Sequence, residues 1–374
     1  MGPRQGPEHR GKLMILSIVA IIVTFGLVVC LHEFGHYLMC LVFGVHVERF
    51  AFGFGPELLG LTRNGTRFSI CAIPLGGFVK PAGENQDECA GKPEEYFSKT
   101  WAQRFGIVAA GPVMNYILAF LLFFGIIVIK GMPEASKEPV IGEVGETLPA
   151  AQAGLKAKDR ILRVDDKQVS TWQELADAIH AKPKQEVRLI AERDGAPFDV
   201  RVVTMSNPAT GEGMIGIVPV TISQKVGVLG AAKESALQCW AYTKFTVTSL
   251  AQKIRRRERP DVAGPIGIMQ MVSRAAHSGF DEFVGFIGLI SVAIGFFNIL
   301  PIPLMDGGHA ALYLWEGLSR RKPSPRALNV INYAGICFLI SLLLFATYND
   351  FLRNREERRL RQQKPPQAEK APPK

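Results

Sequence analysis

The chain of 374 residues has no closely spaced cysteines. Its six, Cys30, Cys40, Cys71, Cys89, Cys239 and Cys337, are scattered without a C-x-x-C pair, so neither a disulfide framework nor a thiolate zinc site is signalled. No small-x-small cleavage site follows the first apolar run, which is longer than the roughly 7–15 residues of a signal peptide core. That run therefore reads as retained. The net charge of +9 comes without interleaved aromatics that could read bases, which argues against a nucleic-acid partner. Charge itself is missing over long stretches. Leu13–Leu31 carries none across nineteen residues, about the length that crosses a hydrocarbon core roughly 30 Å thick.

Three more apolar runs, Phe105–Ile129, Phe283–Leu304 and Ala327–Thr347, accompany a hydrophobic content of 48%. Four transmembrane helices are predicted, and with them a polytopic α-helical membrane protein. The positive charge gathers in Lys253–Arg259 (KIRRRER), Arg320–Arg326 (RRKPSPR) and the tail from Arg353. Beside membrane spans such clusters meet lipid head groups, so the bilayer is an expected partner. The Pro-, Lys- and Gln-rich tail is expected to be disordered.

Between the first two spans, Val47–Val79 alternates aromatic and β-branched residues with glycines around an Asn64-Gly65 turn signal, which predicts a hairpin or small sheet. Its apolar content predicts an element that re-enters the membrane, where irregular backbone needs protein or a wet cavity around it. Gly131–Glu282 is the long polar segment. Its first part predicts a strand, a short helix, a strand, a helix from Trp172 and two closing strands, with Asp194-Gly195 as a hairpin turn. The stretch PAAQAGLKAKDRILRVDDKQV resembles the bacterial PDZ type, departing at Lys158 and Lys167 where glycine is usual. Beyond it, Leu229, Ala232, Ala236, Trp240, Val247 and Leu250 share one face at helical spacing, predicting a helix that lies on the membrane surface or packs on the soluble domain. The expected division is residues 1–130 as an N-terminal membrane half, 135–222 as a PDZ domain, 223–282 as linker and interfacial helix, 283–350 as a C-terminal membrane half and 351–374 as the tail.

The chemistry-bearing stretch is LHEFGHYLMC, residues 31–40. On a helix, residues i and i+4 share a face, so His32 and His36 can offer two imidazole nitrogens to one metal while Glu33 reaches a water beside it. Zinc suits such donors, and Glu33 can take a proton from the acidified water as general base. The motif alone is weak, but ionisable groups on a membrane helix are costly unless they serve a metal, a partner or a cavity. A third ligand is expected from FFNILPIPLMDGGH, residues 296–309, where Pro301 and Pro303 break the helix and Asp306 follows. His309 is the rival for that role.

HEFGH in the first span, AAGPVMNYILA (109–119) in the second, a PDZ-like domain, then AGPIGIMQM and NILPIPLMDGGH together resemble the site-2 protease family of intramembrane zinc metalloproteases, in particular bacterial enzymes that cut anti-sigma factors. The resemblance implies Zn2+ held by His32, His36 and Asp306 with Glu33 as catalytic base. It implies that IPLGGFVK (73–80), with Gly76 and Gly77, offers a strand edge to substrate, and that Asn298 and Asn115 meet substrate; interhelical hydrogen bonding is the alternative for both asparagines. It further implies single-span membrane substrates already trimmed by another protease, residence in the bacterial inner membrane, and an extracytoplasmic PDZ domain, although the basic clusters would then stand against the usual cytoplasmic excess of Lys and Arg. Better-known members carry two PDZ domains where this chain has room for one. Met305 replaces a common leucine, a volume-conserving change. A non-enzymatic PDZ-bearing adaptor with a vestigial metal site is the alternative reading, and a zinc transporter would need more ionisable groups across the spans than this chain has.

Overall fold

The structure, a computed structural model, describes residues 7–85, 89–145, 147–207, 210–256, 264–321 and 324–363. It divides into two compact units, one of residues 1–126 with 232–374 and one of residues 127–231. In chain order its elements are α1 (Pro7–Val42), β1 (Val47–Arg63), β2 (Thr66–Pro81), α2 (Trp101–Lys130), β3 (Met132–Ala135), β4 (Ile141–Val144), α3 (Pro149–Gln152), β5 (Arg160–Val164), β6 (Lys167–Gln168), α4 (Trp172–His180), β7 (Glu186–Arg193), β8 (Ala196–Val203), β9 (Met205–Ser206), β10 (Gly213–Met214), β11 (Ile217–Pro219), β12 (Thr221–Gln224), α5 (Val228–Arg256), α6 (Pro265–Ser278), α7 (Phe280–Ile299), α8 (Asp306–Ser319) and α9 (Pro325–Gln363).

Among the described residues, four helices have the length and apolar content to cross a membrane: Leu13–Val42, Trp101–Lys130, Phe280–Ile299 and Val330–Arg353. The first is longer than its charge-free run, because α1 continues through His32, Glu33 and His36 to Val42. The histidine motif is thus inside the helix. The third is shorter than expected and stops at Ile299, since Pro301 and Pro303 each remove a backbone donor. An ionisable residue in the last helix is accounted for by pairing. Asp350, fully buried, accepts from the Gly264 and Gly267 amides at 3.0 and 2.8 Å, which satisfies orphan donors at the start of α6.

The expected hairpin forms, with Asn64 at φ 51° and Gly65 at φ 83°, the left-handed pair a two-residue turn needs. It then folds back on itself. Gly53 and Gly55, both at φ 87°, let β1 bend so that residues 49–52 pair with 67–70 as well as with 77–80. The result is a small sheet with the 73–81 segment as the outer strand on one side and residues 59–63 at the opposite edge. Its surface carries exposed apolar residues, Leu58, Leu59, Leu61, Ile70 and Ile73, beside the ion pairs Arg67–Glu57 and Lys80–Glu48.

Residues 223–282, expected as a linker and one interfacial helix, hold two helices, α5 and α6. Within its membrane-unit portion, α5 packs its small and polar side inward: Cys239 and Tyr242 meet Ala119, Phe123 and Val292, and Tyr116 and Thr243 hydroxyls lie 2.9 Å apart. Trp240, Val247 and Leu250, from the apolar face, are left exposed. Small residues let helices approach where the surrounding solvent is itself apolar and does not drive burial of large side chains. The tail departs from expectation too. Residues 353–363 continue α9, because NREERRLRQQ is rich in helix formers and the next proline is Pro365. Residues 364–374 and the 257–259 part of the first basic cluster lie outside the described residues.

In the second unit, β4, α3, β5, α4, β7 and β8 follow in the expected order. A four-stranded sheet, β6-β5-β7-β8, is joined by the pairs β4–β11, β3–β12 and β9–β10. Ile141, Leu155, Ile161, Leu175, Val187 and Leu189 form its core. Thr171 and Glu174 cap α4 reciprocally, the capping box that fixes a helix start. Lys158 stands at φ 74°, which explains why glycine is usual there; Lys167 has no such strain, being in β6.

Candidate metal centre

One turn apart on α1, His32 and His36 bring their Nε2 atoms to 3.3 Å. Asp306 arrives from the start of α8, with Oδ2 at 3.0 Å from His32 Nε2 and Oδ1 at 3.5 Å from His36 Nε2. One donor atom from each of the three residues lies within 4.8 Å of the others. His309, the rival, is not in that group.

Glycines make the convergence possible. A Cβ on Gly35 would stand 2.4 Å from the Ala110 carbonyl oxygen, so α1 and α2 meet through backbone. A Cβ on Gly111 would stand 2.4 Å from His36 Nε2 and 2.8 Å from His32 Cε1. The missing side chain of Gly111 is therefore part of the space the two imidazoles use. The loop after α7 reaches the cluster by a strained route: Leu304 sits at φ 71°, a conformation unusual for a bulky residue. A Cβ on Gly307 would meet the Ile299 and Leu300 carbonyls at 2.2 Å, so the chain turns directly against the end of α7. Asp306 then opens α8, where the helix dipole favours a carboxylate.

The far sides of the rings matter as much as the near ones. His36 Nδ1 lies 2.8 Å from the Ile107 carbonyl. A carbonyl only accepts, so Nδ1 carries the proton and Nε2 presents a lone pair. Asp306 Oδ2 is buried and, though near His32, is not aligned as a hydrogen bond. A buried carboxylate oxygen and an imidazole lone pair turned toward one point form a set that a cation completes. Two nitrogens and an oxygen suit zinc with a coordination position left open. The residues present fit the metal.

Glu33 is held separately. Its Oε2 accepts the Val79 N–H at 3.1 Å, a bond from the outer strand of the small sheet. Gly77 lies beside it; a Cβ there would be 3.6 Å from Glu33 Cγ and 2.7 Å from the Ala51 carbonyl oxygen. Gly76, at φ 113°, is covered by the Phe54 ring. Asn298 is half-buried near the end of α7. Asn115, expected to meet substrate, is fully buried, with its amide nitrogen 3.2 Å from His32 Nδ1.

Residues 20–342 match the family described as Peptidase family M50. The chain belongs to this family, the site-2 proteases. A protein of Rickettsia conorii, named provisionally as a zinc metalloprotease, is 34% identical over 90% of this chain and 98% of its own length. Zinc metalloprotease RasP of Geobacillus kaustophilus is 26% identical over 89% and 97%, and Regulator of sigma-W protease RasP of Bacillus subtilis is 26% identical over 91% and 99%. The chain is thus a zinc metalloprotease, with Zn2+ as its cofactor. Among solved structures, the PDZ domain of an SdrC-like protein from Listeria monocytogenes matches 24% of this chain and 94% of that domain at 23% identity with a TM-score of 0.21, a likeness too slight to establish a fold.

Sequence reasoning passed over three features around this candidate centre: the space at Gly111, the Ile107 carbonyl and the Val79 amide. Gly111 had a legible signal, since Ala109-Ala110-Gly111 is the small-residue run by which membrane helices approach closely. The two backbone partners had none, because every residue carries the same amide.

Proposed function

We propose that His32 Nε2, His36 Nε2 and the Asp306 carboxylate hold the zinc, that Glu33 is the general base, and that the bond hydrolysed lies in or beside the transmembrane segment of a membrane-protein substrate. The convergence of two donors on the first apolar helix with a third from the distant start of α8, and Glu33 next in chain to His32, is the observation that supports it most. Bound zinc supplies Lewis acidity to a water and to the scissile carbonyl. Glu33 takes the proton from the attacking water and delivers it to the leaving amine. The Val79 N–H anchors one carboxylate oxygen and leaves the other for that transfer.

His32 lies nineteen residues after Leu13, or about 28 Å at 1.5 Å per residue. That puts the chemistry near the far face of the hydrocarbon core, where water can be admitted without crossing it. The β1–β2 sheet is the re-entrant element on this reading, and an apolar depression of about 390 Å³ lined by Phe50, Phe52, Leu59, Leu61, Phe68 and Ile70 suits lipid or an apolar substrate. Its outer strand adds a substrate strand, unwinding a helix whose peptide bonds are otherwise shielded. Gly76 and Gly77 keep that edge low, and Asn298 offers an amide to the substrate backbone. Residues 135–222 serve as a PDZ module on the extracytoplasmic side, filtering substrates already trimmed by another protease. The name of the Bacillus subtilis relative, Regulator of sigma-W protease, supports an anti-sigma factor as the substrate class and the bacterial inner membrane as the site of action.

The test uses the detergent-purified chain, a zinc measurement and a pre-trimmed single-span substrate, beside Glu33→Gln. The variant is expected to keep zinc and to cleave about 10²- to 10⁴-fold more slowly. Equal cleavage by both, or no cleavage by zinc-loaded wild type, overturns the proposal, the latter in favour of an adaptor with a vestigial site.

A further inference from the structure

Asn115 is the residue whose placement the proposed reaction leaves unexplained. It sits on α2, four residues after Gly111 and fully buried. Its surroundings confine it: the Ser291 hydroxyl donates to the Asn115 carbonyl at 2.8 Å, and a Cβ on Gly295 would be 3.2 Å from Asn115 Cβ. No open surface is left for a substrate to reach. What the carboxamide does face is His32 Nδ1, at 3.2 Å.

The two ends of a carboxamide have nearly the same shape, so which one faces the ring is settled by hydrogen-bond chemistry. Turning the nitrogen to His32 makes Nδ1 an acceptor. A neutral imidazole has one proton, so that proton would then sit on Nε2, among His36 Nε2 and the Asp306 carboxylate, and no metal could use that nitrogen. It would also leave the amide oxygen buried with no partner. Turning the oxygen to His32 reverses the roles: Nδ1–H donates, and Nε2 presents its lone pair to the centre. Either orientation leaves one amide atom over, so the count of bonds is neutral and the imidazole decides.

We infer that Asn115 is a positioning residue that accepts the His32 Nδ1–H through its side-chain oxygen and thereby fixes the tautomer in which His32 can bind zinc. It does for His32 what the Ile107 carbonyl does for His36. Metal-bound histidines in soluble proteins often use a carboxylate for this purpose. Here a neutral amide does it, which avoids burying another negative charge beside Asp306 and Glu33 at membrane depth.

The inference rests on the zinc site proposed above, and the test separates the two. Zinc affinity of the full-length chain in detergent is measured by chelator competition for wild type, His32→Ala, Asn115→Leu, Asn115→Asp and Ser291→Ala. Asn115→Leu, matched in size but without an acceptor, is expected to bind zinc about 10- to 100-fold more weakly. Asn115→Asp, which keeps the acceptor, is expected to stay within about threefold of wild type. Ser291→Ala removes a buried bond at the same place without touching His32 and should bind like wild type. Unchanged affinity in Asn115→Leu overturns the inference, as does an equal loss in Asn115→Leu and Ser291→Ala, which would mark a packing effect. Full zinc retention by His32→Ala overturns the site itself instead. Should Asn115→Leu not fold, the ¹⁵N resonances of His32 in zinc-loaded wild type decide: a protonated Nδ1 supports the inference and an unprotonated one overturns it.

Discussion

Both units of the chain bury charged groups, and Asp159 in one and Asp306 in the other are treated in opposite ways. In residues 127–231, Asp159 is fully buried and every part of its carboxylate is used: Arg193 donates at 2.7 and 2.8 Å and the Lys156 amide at 2.8 Å. In the membrane unit, one end of the Asn115 carboxamide, Asp306 Oδ2, Thr24 Oγ1 and Glu316 Oε2 are buried without a hydrogen bond, and among the described residues these are the side-chain groups so left. Unsatisfied burial costs about 1–3 kcal/mol per group, so a fold keeps it where something else is gained. Two of the four stand at the proposed zinc centre. Asp159 is spent on the fold of residues 127–231, and Asp306 Oδ2 is left for a ligand.

The largest effect that can break this contrast is expected from Gly111→Ala. The added methyl would stand where His36 Nε2 and His32 Cε1 now approach, so bound zinc should fall to the level of a His36→Ala control, with proteolysis falling alongside. Metal analysis of the purified variant checks this, and full zinc occupancy would show that the cluster can shift to accommodate a side chain. Hydrogen exchange in residues 127–231 should be unchanged.

A smaller effect is expected from Val79→Pro. An edge strand tolerates proline where the lost N–H does not pair within the sheet, and this N–H is spent on Glu33. The variant should keep zinc and lose about tenfold in kcat, seen as a kcat loss with occupancy unchanged; a wild-type kcat would mean that Glu33 needs no anchor.

The smallest is Asp159→Asn, which leaves a buried group in residues 127–231 as poorly satisfied as Asp306. Burial pushes the Asp159 carboxyl up, but the hydrogen bonds from Arg193 and the Lys156 amide outweigh it, and the group ends below its ordinary value. A depressed folded value gives stability that is present above the unfolded carboxylate range, near pH 3.9, and lost as pH falls through the folded value. With Arg193 a third exposed, water compensates part of the loss, so protection in residues 127–231 should drop by about 1 kcal/mol at neutral pH. Hydrogen exchange should show the gap to wild type closing as the pH falls below about 4, with zinc content untouched throughout. A gap that persists at low pH would assign the effect to packing.

Much of this was legible in the residues alone. Four apolar runs set the four helices long and apolar enough to cross a membrane, since a backbone in lipid must satisfy itself within a helix. Spacing placed His32 and His36 on one face, Asn64-Gly65 and Asp194-Gly195 set their turns through positive φ, and Pro301 and Pro303 set where α7 ends. These are local properties, and local sequence determines them. Only the tertiary structure decided that Gly111 makes room for two imidazoles, that the Ile107 carbonyl and Asn115 stand behind them, that Val79 reaches Glu33, and that α5 turns its small face inward. Each of these depends on which residues distant in sequence come within about 3–4 Å, and a chain pattern read one segment at a time carries no distance between segments.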